Sequence, residues 1–319
     1  MGRATKKLGR REIEISPERA ALLRRIAIHG LIACFFFGGL GVGFYYIKQY
    51  VDREVAMPTE PPTIIIKNKP HWMSDFLVRR IAATARPTRL HSAYDHDLLV
   101  QTKAALEANP WISKVYEVRR AFREKPGDTL EIDCEYRVPT ALVKWGAYYW
   151  LVDRDGFKLP DQYEPGDVSK IVAVEDGHVD IRVIEGVHRP PPATGKKWLG
   201  EDLAAGLEMA ALLSDKPYAQ DIQRINVAHF GSAREPHVVL VTRYNPPTEI
   251  RWGRTPSELE KDPFLEVTTA KKLDRLQKIY TQFGRVDAGQ KDGLDIRFDG
   301  LPTHGAEASS GMNALAGGQ

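Results

Sequence analysis

The densest group of titratable side chains in this sequence is His91-x-x-x-Asp95-His96-Asp97. Imidazoles and carboxylates at that spacing can ligate a metal ion or pass a proton. The same residues also fit the entrance to a helix, with Asp95 or Asp97 supporting the helix start, and the sequence favours that reading. Thr194-Gly195-Lys196-Lys197 ends like a phosphate loop but lacks its upstream glycine and lies in a proline-rich stretch. Asp153 and Asp155 stand at carboxylate-pair spacing, yet Asp155-Gly156 is turn chemistry. Gly39-x-Gly41-x-Gly43 has no strand before it, so a dinucleotide loop is discounted; Gly39 and Gly43 alone match a helix-packing face. Cys34 and Cys134 cannot pair within the chain, and no Cys/His spacing reads as a metal site. No Ser/His/Asp triad or nucleophilic cysteine stands out. The expectation is a non-enzymatic protein with no catalytic, cofactor or metal residues.

The elements that carry these residues divide sharply by composition. Residues 1–25 hold eight Lys/Arg and three acids, a net +5, so the rest of the chain is −2 within a total of +3. The basicity therefore belongs to the tail and is not a nucleic-acid footprint of the folded part. Ile26–Ile47 is a 22-residue run with no Asp, Glu, Lys or Arg. At 1.5 Å per residue it reaches about 33 Å, enough for a hydrocarbon core of about 30 Å. The run is longer than a signal-peptide core and ends in Phe44-Tyr45-Tyr46-Ile47-Lys48, which offers no small-residue cleavage site. Lys/Arg are dense before it and sparse after it, which predicts a cytoplasmic N-terminus and an extracytoplasmic remainder. The basic tail is also suited to touching anionic lipid.

The outer region reads as an α+β chain. Residues 48–62 form a linker stiffened by Pro58, Pro61 and Pro62. Thr63–Lys67 predicts a strand, Ser74–Ala83 a helix with Phe76, Leu77 and Ile81 inward, and Asp97–Ala108 a helix with Leu99 and Leu106 inward. Strands follow at Lys114–Arg120 and Leu130–Val138; in the second, Leu130, Ile132, Cys134, Tyr136 and Val138 share the buried face. Past Pro139 the pattern turns mainly β, and an antiparallel sheet with two helices is expected. Its strands are placed at Ala141–Trp145, Tyr148–Asp153, Ile222–Val227, His237–Thr242, Thr248–Trp252 and Leu294–Phe298. Its helices are Leu203–Leu213 and Thr268–Phe283, the latter with Leu273, Leu276, Tyr280 and Phe283 on one face and Gly284 as cap. Residues 185–200 read as a loop, and 301–319 as a disordered tail rich in Gly, Ala and Ser.

Three stretches resemble the FtsQ/DivIB family of bacterial cell-division proteins. Asn109-Pro110-Trp111-Ile112-Ser113-Lys114-Val115, then Val118-Arg119-Arg120 and Asp128-Thr129-Leu130-Glu131-Ile132, is similar to the end of that family's POTRA domain. Tyr136-Arg137-Val138-Pro139-Thr140-Ala141-Leu142-Val143-Lys144-Trp145, then Tyr149–Gly156, is similar to the junction into its β domain. Ile250-Arg251-Trp252-Gly253-Arg254, the helix with Lys271 and Leu273, and Leu294-Asp295-Ile296-Arg297-Phe298 are similar to its C-terminal motifs. The likeness covers most of residues 20–300. Three features depart from the family pattern. Tyr136 stands where the family has Glu, residues 185–200 read as an insertion, and 301–319 hold no further edge strand.

The resemblance implies a basic cytoplasmic tail (1–25), a membrane helix (26–47), a linker (48–62), a POTRA-like domain (63–139), a β domain (140–300) and a tail (301–319). It also implies a scaffold of the division complex in the inner membrane at the division site, binding FtsB- and FtsL-like bitopic partners. The candidate partner-binding residues are Leu294, Asp295, Ile296, Arg297 and Phe298, a strand near the chain end whose edge could accept a partner strand. The rival readings are a membrane-anchored peptidoglycan-processing enzyme and another envelope-assembly POTRA protein. An export POTRA protein would need a run of barrel strands, for which too little chain remains.

Overall fold

The computed structural model describes residues 17–54, 61–89, 91, 95–121, 123, 128–172, 181–290 and 292–299. The expected disordered tail and most of the basic N-terminal tail lie outside these residues. The chain is mixed α/β, with one helix among the described residues, near the N-terminus, long and apolar enough to cross a membrane. That helix, α1 (Pro17–Glu54), has 38 residues, and Ile26–Ile47 is its middle. Its length is about 57 Å at 1.5 Å per residue, so it outruns the apolar segment at both ends. Lys48–Glu54, expected in the linker, are its last two turns.

A three-stranded sheet follows. It contains β1 (Thr63–Ile66), β2 (Ile112–Ala121) and β3 (Thr129–Tyr136), in the order β1-β3-β2. β1 runs parallel to β3, and β2 antiparallel to it. Two helices connect β1 to β2: α2 (Asp75–Ala85) and α3 (His96–Glu107). The Ser74 hydroxyl accepts from Leu77 N–H and starts α2. Leu77 and Ile81 are buried as expected, but Phe76 is 63% exposed. It sits one position off the Leu77-Ile81-Ala85 stripe, and its ring carries the Arg80 guanidinium at 5.7 Å. In α3 the buried stripe is Leu98, Thr102 and Leu106, so Leu98 takes the place expected of Leu99. Leu130, Ile132, Cys134 and Tyr136 are buried. Val138 is 41% exposed because β3 ends at Tyr136 and the alternation ends with it.

The remaining chain builds an eight-stranded sheet. Its first part comprises β4 (Pro139–Trp145), β5 (Tyr148–Asp153), β6 (Lys158–Tyr163), α4 (Pro165–Val172), β7 (Arg182–Glu185) and α5 (Glu201–Leu213). Its second comprises β8 (Ile222–Asn226), β9 (Val238–Thr242), β10 (Glu249–Gly253), α6 (Pro256–Lys261), α7 (Thr269–Phe283) and β11 (Leu294–Asp295). The sheet order is β11-β10-β9-β8-β7-β4-β5-β6. This corrects the expectation of an antiparallel sheet with two helices. β7 enters parallel between β4 and β8, β11 is parallel to β10, and the described residues hold four α-helices. Parallel neighbours need crossover connections, and α4 and α5 lie in two of them.

The two faces of the sheet are covered differently. Ala141, Val143, Val152, Ile184, Ile225 and Leu240 form one buried cluster with the inward sides of α5 and α7. Leu142, Leu151, Leu159 and Val183 point the other way. They join Val168 of α4 and, from the first unit, Met73, Ile81, Trp111 and Tyr136 in a second cluster. In α7 the buried residues are Lys272, Leu276 and Ile279, while Phe283 is 52% exposed. Phe283 is the last helical residue before the left-handed Gly284 cap, where the apolar stripe has run past the sheet.

Candidate functional site

The residues with apparent chemistry resolve into local structure. Asp95 accepts from Asp97 N–H at 2.9 Å and from His91 Nδ1 at 2.7 Å, which is the N-cap of α3. Asp153 Oδ1 accepts from the N–H groups of Asp155 (3.0 Å) and Phe157 (2.7 Å), organising the turn after β5. Gly195 N–H donates to the Lys158 carbonyl.

The C-terminal residues form a corner at the edge of the large sheet. β11 occupies that edge beside β10, with Ile250 opposite Leu294 and Arg251 opposite Asp295. Leu294 and Ile296 are buried in the core, and Asp295 and Arg297 alternate with them. Arg297 holds Asp295 in a fork, with Nη2 to Oδ2 at 2.6 Å and Nε to Oδ1 at 3.0 Å. Phe298 is 51% exposed and lies against the Arg297 guanidinium at 5.0 Å.

The strand is shorter than the Leu294–Phe298 expected. Ile296 N–H still donates to the Arg251 carbonyl of β10 (3.3 Å), and past that bond the backbone is turned to other partners. Arg297 N–H donates to Asp295 Oδ1 (3.1 Å), and its carbonyl accepts from Val267 N–H (2.9 Å). Arg275 donates to the carbonyls of Ile296 (3.2 Å) and Phe298 (2.6 Å) and to Asp299 (2.6 Å). Lys271 adds a second cation to Asp299 at 2.5 Å. Ladder pairing on this edge is therefore two residues long, which blunts a sheet edge. The corner presents exposed side chains more than a long main-chain ladder.

Those side chains include two that the sequence reading passed over. Phe264 is 95% exposed, and Leu265 is exposed beside it. With Val267, Lys271 and Phe298 they line an open groove along the corner. The signal was present in Asp262-Pro263-Phe264-Leu265-Glu266: two adjacent apolar residues follow a proline, outside any helical or strand period. The loop is held from beneath by Lys272, whose ammonium is wholly buried. It donates to the Trp252 carbonyl (2.7 Å), the Arg254 carbonyl (3.3 Å) and Glu266 (2.6 Å). Burial pulls the Lys272 pKa down, and the Glu266 carboxylate opposes that shift. Gly253 is required here: its φ is +84°, and a Cβ would stand 2.3 Å from a Glu266 oxygen. The resemblance placed the helix lysine at Lys271, but Lys272 is the one that faces the core.

Two carboxylates tie this region to pH. Burial alone would raise the Asp287 pKa, yet hydrogen bonds from Arg285, Gly289 and Thr248 hold it below its ordinary value of 3.8. Asp295 behaves the same way: burial opposes, and Arg297 lowers it. A depressed folded pKa gives stability that is complete above the unfolded value and is lost as pH falls through the folded one. Thermal melts between pH 5 and 2 are expected to fall steeply below about pH 4. Asp287→Asn should start lower and fall less. Equal pH slopes for the two proteins would remove Asp287 from the account.

No family model matches this sequence, and no curated protein matches it.

Proposed function

We propose that this chain is a bitopic scaffold of the bacterial division complex, anchored by α1 and binding other single-span division proteins at the C-terminal corner. The observation that carries the reading is the corner itself. The last strand of the large sheet lies at its edge beside an open groove where the exposed Phe264 and Phe298 stand among Glu266, Thr268, Lys271 and Asp299, and the one candidate membrane helix among the described residues is N-terminal. Large apolar side chains exposed together mark interaction surfaces. Tethering in one bilayer raises the effective concentration of partners for one another. The order β1-α2-α3-β2-β3 supports a POTRA-like first unit, and the motif resemblance supports the FtsQ/DivIB family. The partners are small FtsB- and FtsL-like bitopic proteins.

The basic tail before α1 supports a cytoplasmic N-terminus and an extracytoplasmic folded region in the inner membrane. A periplasm-active reporter fused after Gln319 is expected to be active, with the native N-terminus retained. A mature N-terminus beyond residue 48, or an inactive reporter beside an active cytoplasmic one, would reject the topology. Co-expression of the full chain with membrane division proteins should recover two small single-span partners. Recovery of neither would reject the scaffold reading.

A further inference from the structure

The proline-rich segment 186–199 and a buried ion pair meet at the seam between the two sheets. The segment is pinned at both ends to the second unit. At one end the His188 N–H and Nδ1 lie 2.6 Å and 2.9 Å from Asp202 Oδ2, at the start of α5. At the other, Trp198 is buried in the α5 cluster and its indole N–H donates to the Arg189 carbonyl at 3.0 Å. Pro190, Pro191 and Pro192 stiffen the span between them.

The middle of the segment does two things. It adds to the start of β6: Gly195 N–H donates to Lys158 O (2.8 Å), Lys158 N–H to Lys196 O (3.0 Å), and Trp198 N–H to Gly156 O (2.8 Å). It also reaches the first unit. A Cβ on Gly195 would lie 3.5 Å from Pro110, the residue that leads into Trp111 and β2. Gly195 has φ +78°, so a side chain there is strained as well as in contact.

Beneath the segment, Arg137 of the first unit donates to Asp153 of the second at 2.7 Å. Both side chains are largely withdrawn from solvent. The Arg137 guanidinium lies 3.7 Å from the centroid of Phe157, and Phe157 bridges to Lys197 of the segment. Arg137 N–H donates to the Trp111 carbonyl at 2.9 Å, so the residue's backbone is anchored in the first unit. Segment, ring, cation and carboxylate form one connected seam.

We propose that residues 186–199 are a strap that locks the two sheets into one rigid body, with Arg137–Asp153 as its inner latch. A loop added only for bulk would touch one unit; this one is built into the second and bears on the first. The lock fixes the direction in which the second unit projects from the membrane-tethered first unit.

The test is a distance distribution by double electron–electron resonance on the full chain in nanodiscs. Spin labels replace Gln101 on α3 and Lys278 on α7 through non-canonical amino acids, leaving both cysteines untouched. Three variants are compared. One replaces residues 190–196 by a flexible Gly/Ser segment of about twice the length. One is the milder Gly195→Val. One combines Arg137→Met with Asp153→Asn, which removes the pair without stranding a charge. Far-ultraviolet circular dichroism selects variants with the wild-type fold. The wild-type chain is expected to give one narrow distance, and each folded variant at least a twofold broader distribution. A broad wild-type distribution overturns the proposal. So does any of the three variants, strap or latch, that folds and keeps the wild-type width.

Discussion

Replacing Lys272 by Met is expected to destabilise the second unit by about 3 kcal/mol, within the range for breaking a buried pair by removing one partner. Three acceptors lose their donor at once: the carbonyls of Trp252 and Arg254, and the carboxylate of Glu266. Met fills similar space, so the loss reflects stranded acceptors more than a cavity. For a unit of this size the midpoint should fall by about 6–12 °C. The discriminating comparison is the double change Lys272→Met with Glu266→Gln. It removes the stranded anion and should recover more than half of the loss. If the double variant is no more stable than Lys272→Met alone, the buried charge is not the source. Because Glu266 follows Phe264 and Leu265, the single change should also loosen the groove.

The second large effect is expected at Arg182, which is buried at the start of β7. Its guanidinium donates to the carbonyls of Ala210 (3.2 Å), Leu213 (3.5 Å) and Ala219 (3.1 Å). The first two lie in the last turn of α5, where carbonyls have no helical partner and the helix dipole favours a cation. At the opposite end, Asp202 accepts from Leu203 N–H, so the helix carries charge of the appropriate sign at both termini. Arg182→Met should cost about 3 kcal/mol, the sum expected for orphaning two or three buried acceptors. Arg182→Lys should recover only part, since an ammonium lacks the planar fork that spans three carbonyls. Chemical denaturation would read both. A loss under about 1 kcal/mol for Arg182→Met would show that water replaces the guanidinium.

Both residues show where legibility in the sequence ended. Apolar period announced β3 and the Leu276 face of α7, because half-buried elements write their buried side as a repeat, while β9 was announced by its unbroken apolar run Val238-Val239-Leu240-Val241, buried throughout. Lys272 and Arg182 are polar letters at buried positions, so the same rule reads them as solvent-facing. β7 is four residues, Arg182-Val183-Ile184-Glu185, too short for a period to develop. Its parallel placement between β4 and β8 depends on contacts far along the chain, which local alternation does not encode. The strap read only as a proline-rich loop, since its partners, Pro110 and Lys158, belong to other elements. At the candidate site, Asp295 and Arg297 were visible as an alternating pair. The early end of β11 was not, because Arg275 and Val267 bring it about from a distant helix and loop.

The proposed scaffold role places the binding of bitopic division proteins at the C-terminal corner. Phe264→Asp combined with Phe298→Asp tests it most directly, since both rings are exposed and their loss removes no core volume. The measurement is the affinity of the purified full chain for a co-reconstituted FtsB- and FtsL-like pair, alongside its thermal melt. The account predicts an unchanged melt and a loss of at least about tenfold in affinity, as for interface hot spots. Wild-type affinity in the folded double variant would contradict it and move the binding site away from this corner.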